Sequence, residues 1–325
     1  MTEEKPKEDV ESLAKRVEKL GETQKSIEFE KAVVEAGDIV YLRGQPIPKS
    51  EYDALVKIYV AAKPELKDTI KGKIDDSRVV VLRHYDESEI VDRFFKGNIE
   101  NGHVTSLELN VINLKMLPDE MGQFPELRHL DISLSHQLAY LTEAIKGLKK
   151  LDFLKAEHCS IVAMPDALSQ LTAMERLLLN YNHLRTVPNL SRLKRLKHLY
   201  LEGNDLYDIP GLGGLVSLET LNLAKNKIHS SFDLRGLGNL SNLRYLNLSS
   251  NGLTSLPEEL SQIPQLRKLH IQGNELHKLP EFLLGLAGLR TFEADPPKNR
   301  KDRKIYAAVQ KMIKENRKKD YYAPP

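Results

Sequence analysis

A spacing rule governs most of this chain. From Val104 onward, apolar residues return at relative positions 1, 4, 6, 11 and 14, with Asn frequent at position 9 and Pro at position 15. Units begin at Val104, Leu127, Leu151, Met174, Leu196, Leu218, Leu243 and Leu266, with a partial ninth at Leu289. Successive starts lie 23, 24, 23, 22, 22, 25, 23 and 23 residues apart. A period of this size makes each unit one coil of a stack. Positions 4 and 6 are two residues apart, so their side chains share one face of a short strand. The apolar residues at positions 1, 11 and 14 close the coil around the same core. One coil cannot bury its own apolar side, so neighbours must stack and share that core.

The pattern is clearest in LKHLYLEGNDLYDIP from Leu196, LRYLNLSSNGLTSLP from Leu243 and LRKLHIQGNELHKLP from Leu266. On these residues the chain resembles a leucine-rich repeat protein of the intracellular type, similar to the Ras-associated group. The resemblance spans Val104 to Asp295. It implies an α/β fold, a horseshoe solenoid with a parallel concave sheet, and a protein partner; a small GTPase or its regulator is the partner by analogy.

Position 9 reads Ile112, Ser135, Cys159, Asn182, Asn204, Asn226, Asn251 and Asn274. An inward Asn amide can satisfy turn backbone groups that would otherwise be buried unpaired. The regular ladder is therefore expected from Asn182 onward, with Cys159 filling the same slot one coil earlier. The second unit carries an extra residue before Leu141 and has Thr142 where others have Pro.

The flanks divide the rest of the chain. Over residues 1–36, Val10, Leu13, Val17, Leu20, Ile27 and Val34 space as a charged amphipathic helix, either a short coiled coil or a helix docked on its own domain. Gly21 weakens it by about 1 kcal/mol relative to Ala. Residues 37–102 read as an α/β N-terminal cap built from two similar units. Ile39 to Arg43 parallels Val79 to Arg83, and helix starts are signalled at Ser50 and Ser88. The second of these strands is expected to pair with the first repeat strand, Ser106 to Leu109, and so close the open end of the stack. The repeats occupy 103–295.

Residues 296–325 hold a basic C-terminal helix with an apolar stripe of Ile305, Ala308, Val309, Met312 and Ile313. Lys298 to Asp320 carries ten Lys or Arg against three acids, whereas residues 1–35 carry seven against ten. The helix is read as a cap, or as an element that binds nucleic acid or an anionic surface through Lys298 to Lys319.

Catalytic motifs are not found. GLGGLVS at Gly211 lacks the Lys and Ser/Thr of a phosphate loop, and no HExxH, paired CxxC or GxSxG occurs. His158 and Cys159 are adjacent, which on a strand would turn them to opposite faces, so Cys159 is read as structural. The ten histidines show no ligand spacing, so neither metal nor cofactor is expected and the chain is read as non-enzymatic. The net charge of +2 provides no global field for nucleic acid. A single cysteine, a charged N-terminus without an apolar core and no run of 18 apolar residues suggest a cytoplasmic protein without a transmembrane segment.

The binding surface is expected on the concave face, at positions 3 and 5 of each strand. There Phe153, Arg176, Leu178, His198 and Tyr200 cluster on three consecutive coils, with Tyr181 at the strand edge and Tyr245 and His270 further along. Aromatic residues make up only 6% of the chain and Trp is absent, so this clustering stands out. Aromatics and Arg dominate interface hot spots. Glu108 and Asp131 make the N-terminal end of the face acidic, which suits a partner with a basic edge.

Overall fold

The computed structural model describes residues 39–42, 45–62, 96–109, 114–229, 234–263 and 265–322. The helix expected over 1–36, the strand at 79–83, the helix start at Ser88 and the ladder position Ile112 lie outside the described residues.

One ten-stranded sheet organises the molecule. Its strands in chain order are β3 (Lys96–Glu100), β4 (His103–Glu108), β5 (His129–Asp131), β6 (Phe153–Lys155), β7 (Arg176–Leu178), β8 (His198–Tyr200), β9 (Thr220–Asn222), β10 (Tyr245–Asn247), β11 (Lys268–His270) and β12 (Thr291–Glu293). From β4 to β12 every pairing is parallel and in phase. Leu107, Leu130, Leu154, Leu177, Leu199, Leu221, Leu246, Leu269 and Phe292 therefore form one buried row. The partial ninth unit completes a strand of its own.

Among the described residues seven short 3-10 turns stand behind the sheet, from Asp119–Gln123 to Glu281–Gly285. Strands stack at about 4.8 Å, whereas α-helices with side chains are about 10 Å across. Narrow turns let the back of the coil keep nearly the pitch of the front. Pro118, Pro165, Pro257 and Pro280 precede four of these turns in extended conformation. Thr142, in the proline slot of the second unit, does the same work differently: its hydroxyl accepts from the Ala144 N–H at 3.1 Å and caps the turn Glu143–Gly147.

The inner turns carry a repeated hydrogen-bond device. Asn204 Nδ2 donates to the carbonyls of Leu179 in the preceding coil (3.0 Å) and of Leu201 in its own (3.1 Å), and its Oδ1 accepts from the Leu184 N–H (3.0 Å). Asn182, Asn226, Asn251 and Asn274 repeat all three contacts on their own coils. Cys159 performs only the donor part, from Sγ to the Ile132 carbonyl at 3.4 Å. The Leu138 N–H, which an Asn would have taken, turns to the Ser135 carbonyl instead.

The N-terminal end differs from expectation. The edge beside β4 is filled by β3, an antiparallel hairpin partner joined through the turn at Asn101 and Gly102, and not by residues 79–83. A direct reversal through a two-residue turn needs no crossover and reaches that edge first. A second hairpin pairs β1 (Ile39–Leu42) with β2 (Gln45–Pro48), followed by helix α1 (Lys49–Ala62). Buried Ile47, Ala54, Leu55 and Ile58 join the core shared with the first coils. Glu51 is 1% exposed and ties the cap to the sheet: its carboxylate accepts from the Val104 N–H at 2.8 Å and lies 2.7 Å from His103 Nδ1.

At the other end, α2 (Arg300–Tyr322) lies across the last coil with Ile305, Val309 and Ile313 buried. Asp302 accepts from the Leu279 N–H, and Asn316 Nδ2 donates to the carbonyls of Ala287 and Leu289. Ala308 faces solvent and is not part of the seam.

Two outcomes are expected. Asn204→Ala orphans the buried Leu184 N–H and leaves the Leu179 and Leu201 carbonyls with one donor each, Asn182 and Asn226, which should lower stability by about 1–3 kcal/mol and shift the denaturation midpoint accordingly. Burial raises the Glu51 carboxyl above its ordinary value near 4.5, against the lowering effect of His103 and the Val104 N–H. A raised carboxyl binds its proton more tightly when folded, so its contribution to stability falls as pH rises from that ordinary value through the raised one. Glu51→Gln lacks this dependence. Urea midpoints should therefore move in the variant's favour, relative to wild type, as pH rises from about 4.5.

Candidate functional site

The concave side chains form three clusters along the sheet. In the first, on β5 to β7, the Arg176 guanidinium lies over the Phe153 ring, 4.4 Å from its centroid. His129 tilts against the same ring at 5.7 Å, and its Nε2 is 3.4 Å from Arg176 and 3.8 Å from Asp152. Arg176 is exposed, while Phe153 and Leu178 are half-buried. The register pairs Leu178 with Tyr200 and Arg176 with His198, so these side chains continue the cluster onto β8.

Tyr181 anchors a second cluster, and it does so from outside the strand. Its φ is +55°, in the left-handed region, and position 8 repeats that conformation through coils two to eight: Leu134, His158, Gly203, Lys225, Ser250 and Gly273 all have φ between +53° and +72°. The residue before the inward Asn must reverse the chain, and this turn throws its side chain outward. The Tyr181 ring stacks on His158 at 4.5 Å, donates its hydroxyl to Glu202 Oε1 at 2.7 Å, and lies beneath Lys225 Nζ. Lys225 also donates to Glu202 at 2.7 Å, and Asn222 Nδ2 does so at 3.1 Å. Gly203 is required here twice over: its φ is positive, and a Cβ would come within 2.6 Å of the Tyr181 ring. Burial alone would raise Glu202, but the hydrogen bonds from Lys225, Tyr181 and Asn222 hold its carboxyl below the usual range.

The third cluster joins Tyr245 to His270 edge-on at 5.4 Å. Asn247 Nδ2 donates to the Tyr245 hydroxyl at 3.3 Å, and Glu293 lies 3.4 Å from His270 Nδ1 and accepts from Gln272 at 3.2 Å. Burial pushes the Tyr245 phenol up. Asn222 and Asn247 are buried on coils six and seven, so the face there is a polar floor between aromatic groups. Seven of the eight residues chosen from the sequence share one sheet but not one patch: Phe153, Arg176, Leu178, His198 and Tyr200 stand together, Tyr245 with His270 stands apart, and Tyr181 lies beyond the strands.

Cys159 and His158 separate for a reason other than strand alternation. Both lie beyond β6 in the turn: left-handed His158 points out to Tyr181 and Cys159 points in. Burial raises the Cys159 thiol, which keeps it neutral and poorly nucleophilic. Among the described residues no group of three or more His, Cys, Asp or Glu could hold a metal ion, and no helix is long and apolar enough to cross a membrane.

Sequence reasoning missed one surface. Met116 and Tyr140 are 56% and 51% exposed and bridge through their backbones, as do Tyr140 and Ala163, with exposed Val162 alongside. This apolar strip runs down the flank of the first three coils. The signal was the inserted residue before Leu141, which places Tyr140 in an outward slot.

Comparison with known proteins adds the following. Residues 203–305 match the model of the leucine-rich repeat region family. The uridine 5'-monophosphate transferase of Xanthomonas campestris pv. campestris (strain 8004) is 33% identical over 81 residues, which are 25% of this chain and 15% of that protein. The plant peptide hormone receptor RGFR1 in complex with RGF2 is similar at a TM-score of 0.52 and 26% identity, covering 59% of this chain and 32% of the receptor. A leucine-rich repeat protein of Leptospira interrogans aligns at a TM-score of 0.40 and 26% identity, covering 56% and 59% of the two chains. The chain spans only part of the length of each.

The Tyr181 cluster yields a direct check. Lys225→Met removes a hydrogen bond and a positive charge from Glu202, so the Glu202 carboxyl should titrate at higher pH than in wild type. Side-chain carboxyl NMR measures the change.

Proposed function

We propose that this protein, a leucine-rich repeat solenoid, is an interaction scaffold that holds a protein partner on its concave face between β6 and β8. The observation that carries this reading is the Arg176 guanidinium stacked on Phe153, continued by Leu178, His198 and Tyr200 at matching register on the next strands. Rigid aromatic rings with an Arg laid across them combine apolar area with a directed donor, the composition of an interface hot spot. His129, itself beside Asp152, touches the Arg at its N-terminal side, which reduces the side-chain freedom to be lost on binding.

The similar plant receptor is a peptide hormone receptor in complex with RGF2, which supports a polypeptide as the class of partner for this fold. The activity named for the transferase stays with that protein, since the likeness covers 15% of it. Among protein partners, a small GTPase or its regulator is the first to test, because the repeat type resembles the Ras-associated group.

A panel of purified small GTPases, each loaded with GDP or a GTP analogue, is titrated against wild type and Phe153→Ala/Tyr200→Ala, alongside a crosslinking pull-down with the same two baits. Truncating two hot-spot aromatics should weaken a true concave-face partner by at least about 30-fold, equivalent to about 2 kcal/mol. A partner that binds both proteins equally would move the site off this strip.

A further inference from the structure

A second surface lies on the edge of the same sheet, at position 2, one residue before each outward position 3. Through coils two to six this row reads Arg128, Asp152, Glu175, Lys197 and Glu219. Opposite charges sit among one another, and several pair: Glu175 takes Lys197 at 2.9 Å and Arg195 at 2.8 Å, and Asp152 faces His129. In coils seven to nine the row becomes Arg244, Arg267 and Arg290. The in-phase pairings of Tyr245 with Lys268 and of Lys268 with Thr291 set these three arginines side by side.

Like charges facing each other across neighbouring strands oppose folding, yet among the described residues no carboxylate pairs with Arg244 or Arg267; Arg290 is half-buried and gives Nη1 to the Gly288 and Leu289 carbonyls. The preceding position, which supplies Glu126, Lys150 and Arg195 earlier in the stack, supplies Asn242, Gln265 and Gly288 here. Arg244, Arg267 and neighbouring Lys268 are exposed, and among the described residues their side chains make no ion pair or hydrogen bond. Glu219, one coil before Arg244, makes no ion pair with it. The row does not end at Arg290, because Arg317 of α2 donates from Nε to the Arg290 carbonyl at 2.8 Å and brings another guanidinium to the same edge. With a net charge of only +2 over 325 residues, this concentration is not a by-product of a basic chain.

We propose that the row from Arg244 to Arg317, widened by Lys268, docks an acidic helical segment of a partner protein. Arginine forks match carboxylates two bonds at a time. The step between adjacent strands is about 4.8 Å, and side chains one turn apart on a helix have Cβ atoms about 5–6 Å apart. An acidic stripe at i, i+3 or i+4 spacing therefore meets one arginine per coil. Sites for single-stranded nucleic acid add exposed stacking rings to a basic groove; among the described side chains, Tyr245, the aromatic residue next to Arg244, is half-buried with its hydroxyl bonded to Asn247. This docking is independent of the aromatic strip, which lies on coils three to five.

The test is fluorescence anisotropy of a labelled Glu/Ala-rich helical peptide, carboxylates on one face, against the full chain at about 50 and 300 mM salt. The expected result is saturable binding that weakens at least tenfold at the higher salt and at least tenfold in Arg244→Gln/Arg267→Gln. Arg128→Gln/Arg192→Gln, which removes the same charge elsewhere, should leave it unchanged, and a peptide of equal composition with carboxylates spread around the helix should bind more weakly. Equal loss in the two double variants, equal binding of the two peptides, or no binding overturns the proposal. So does tighter binding of oligothymidylate or of phosphatidylserine vesicles that depends on Arg244 and Arg267, which would assign the row to nucleic acid or lipid.

Discussion

A solenoid that turns its chain inward at every coil must pair the backbone groups it buries there, and the rest of this structure depends on how that is done. The amide of Asn at position 9 has two donors and an acceptor in a fixed plane. One residue therefore binds its own strand end, the strand end before it and the return segment before it. These bonds cross between coils and set their relative phase. With phase fixed, the row from Leu107 to Phe292 falls into line, each member completely or almost completely removed from water. Each such side chain contributes about 1.5–3 kcal/mol on burial, which is available only while the ladder holds the register.

The same turn determines what the outside looks like. An inward Asn requires the residue before it to adopt a left-handed conformation, at roughly 1–2 kcal/mol for a residue with a Cβ. Glycine takes that place at 203 and 273, whereas Leu134, His158, Tyr181 and Lys225 accept the strain and project from the sheet edge. At Tyr181 the projection is used: the ring bridges from His158 across Gly203 to Glu202 and Lys225, tying four coils together outside the core. The position that looks like loop variation in one dimension is in three dimensions a column of outward side chains.

The solenoid, its strand positions and the inward Asn column were legible because each depends on a period, and periods survive in sequence without any neighbour being known. What depended on a single event was not. The hairpin of β3 and β4 owes its place to a tight reversal at Asn101 and Gly102, whereas the longer similarity between Ile39–Arg43 and Val79–Arg83 drew attention away from it. Positions 3 and 5 separate the residues from Phe153 to Tyr200 from Tyr245 and His270 already in the sequence, but nothing there marks the position-5 side chains Asn222 and Asn247 as buried. Thr220 and Asn222 are unremarkable in sequence, and their strand pairing sets them between Tyr200 and Tyr245. Glu51 gave no signal at all: its burial comes from α1 folding back on β4, a contact 53 residues apart in the chain.

Separating the core from the surface in this way lets one sheet carry unlike chemistries. Through coils two to eight positions 4, 6, 9 and 11 turn to the interior, so positions 2, 3, 5 and 8 can vary without disturbing register. Coils three to five place rings and one stacked guanidinium at position 3 and beyond. Coils seven to nine place arginines at position 2, with buried Asn247 and half-buried His270 beside them. In a globular core these choices would be coupled through packing. Here each coil touches mainly its neighbours, so a cluster extends only as far as successive coils repeat a residue type. Length along the stack then measures how far one surface chemistry extends: three coils for the rings, and three for the arginines before α2 adds its own.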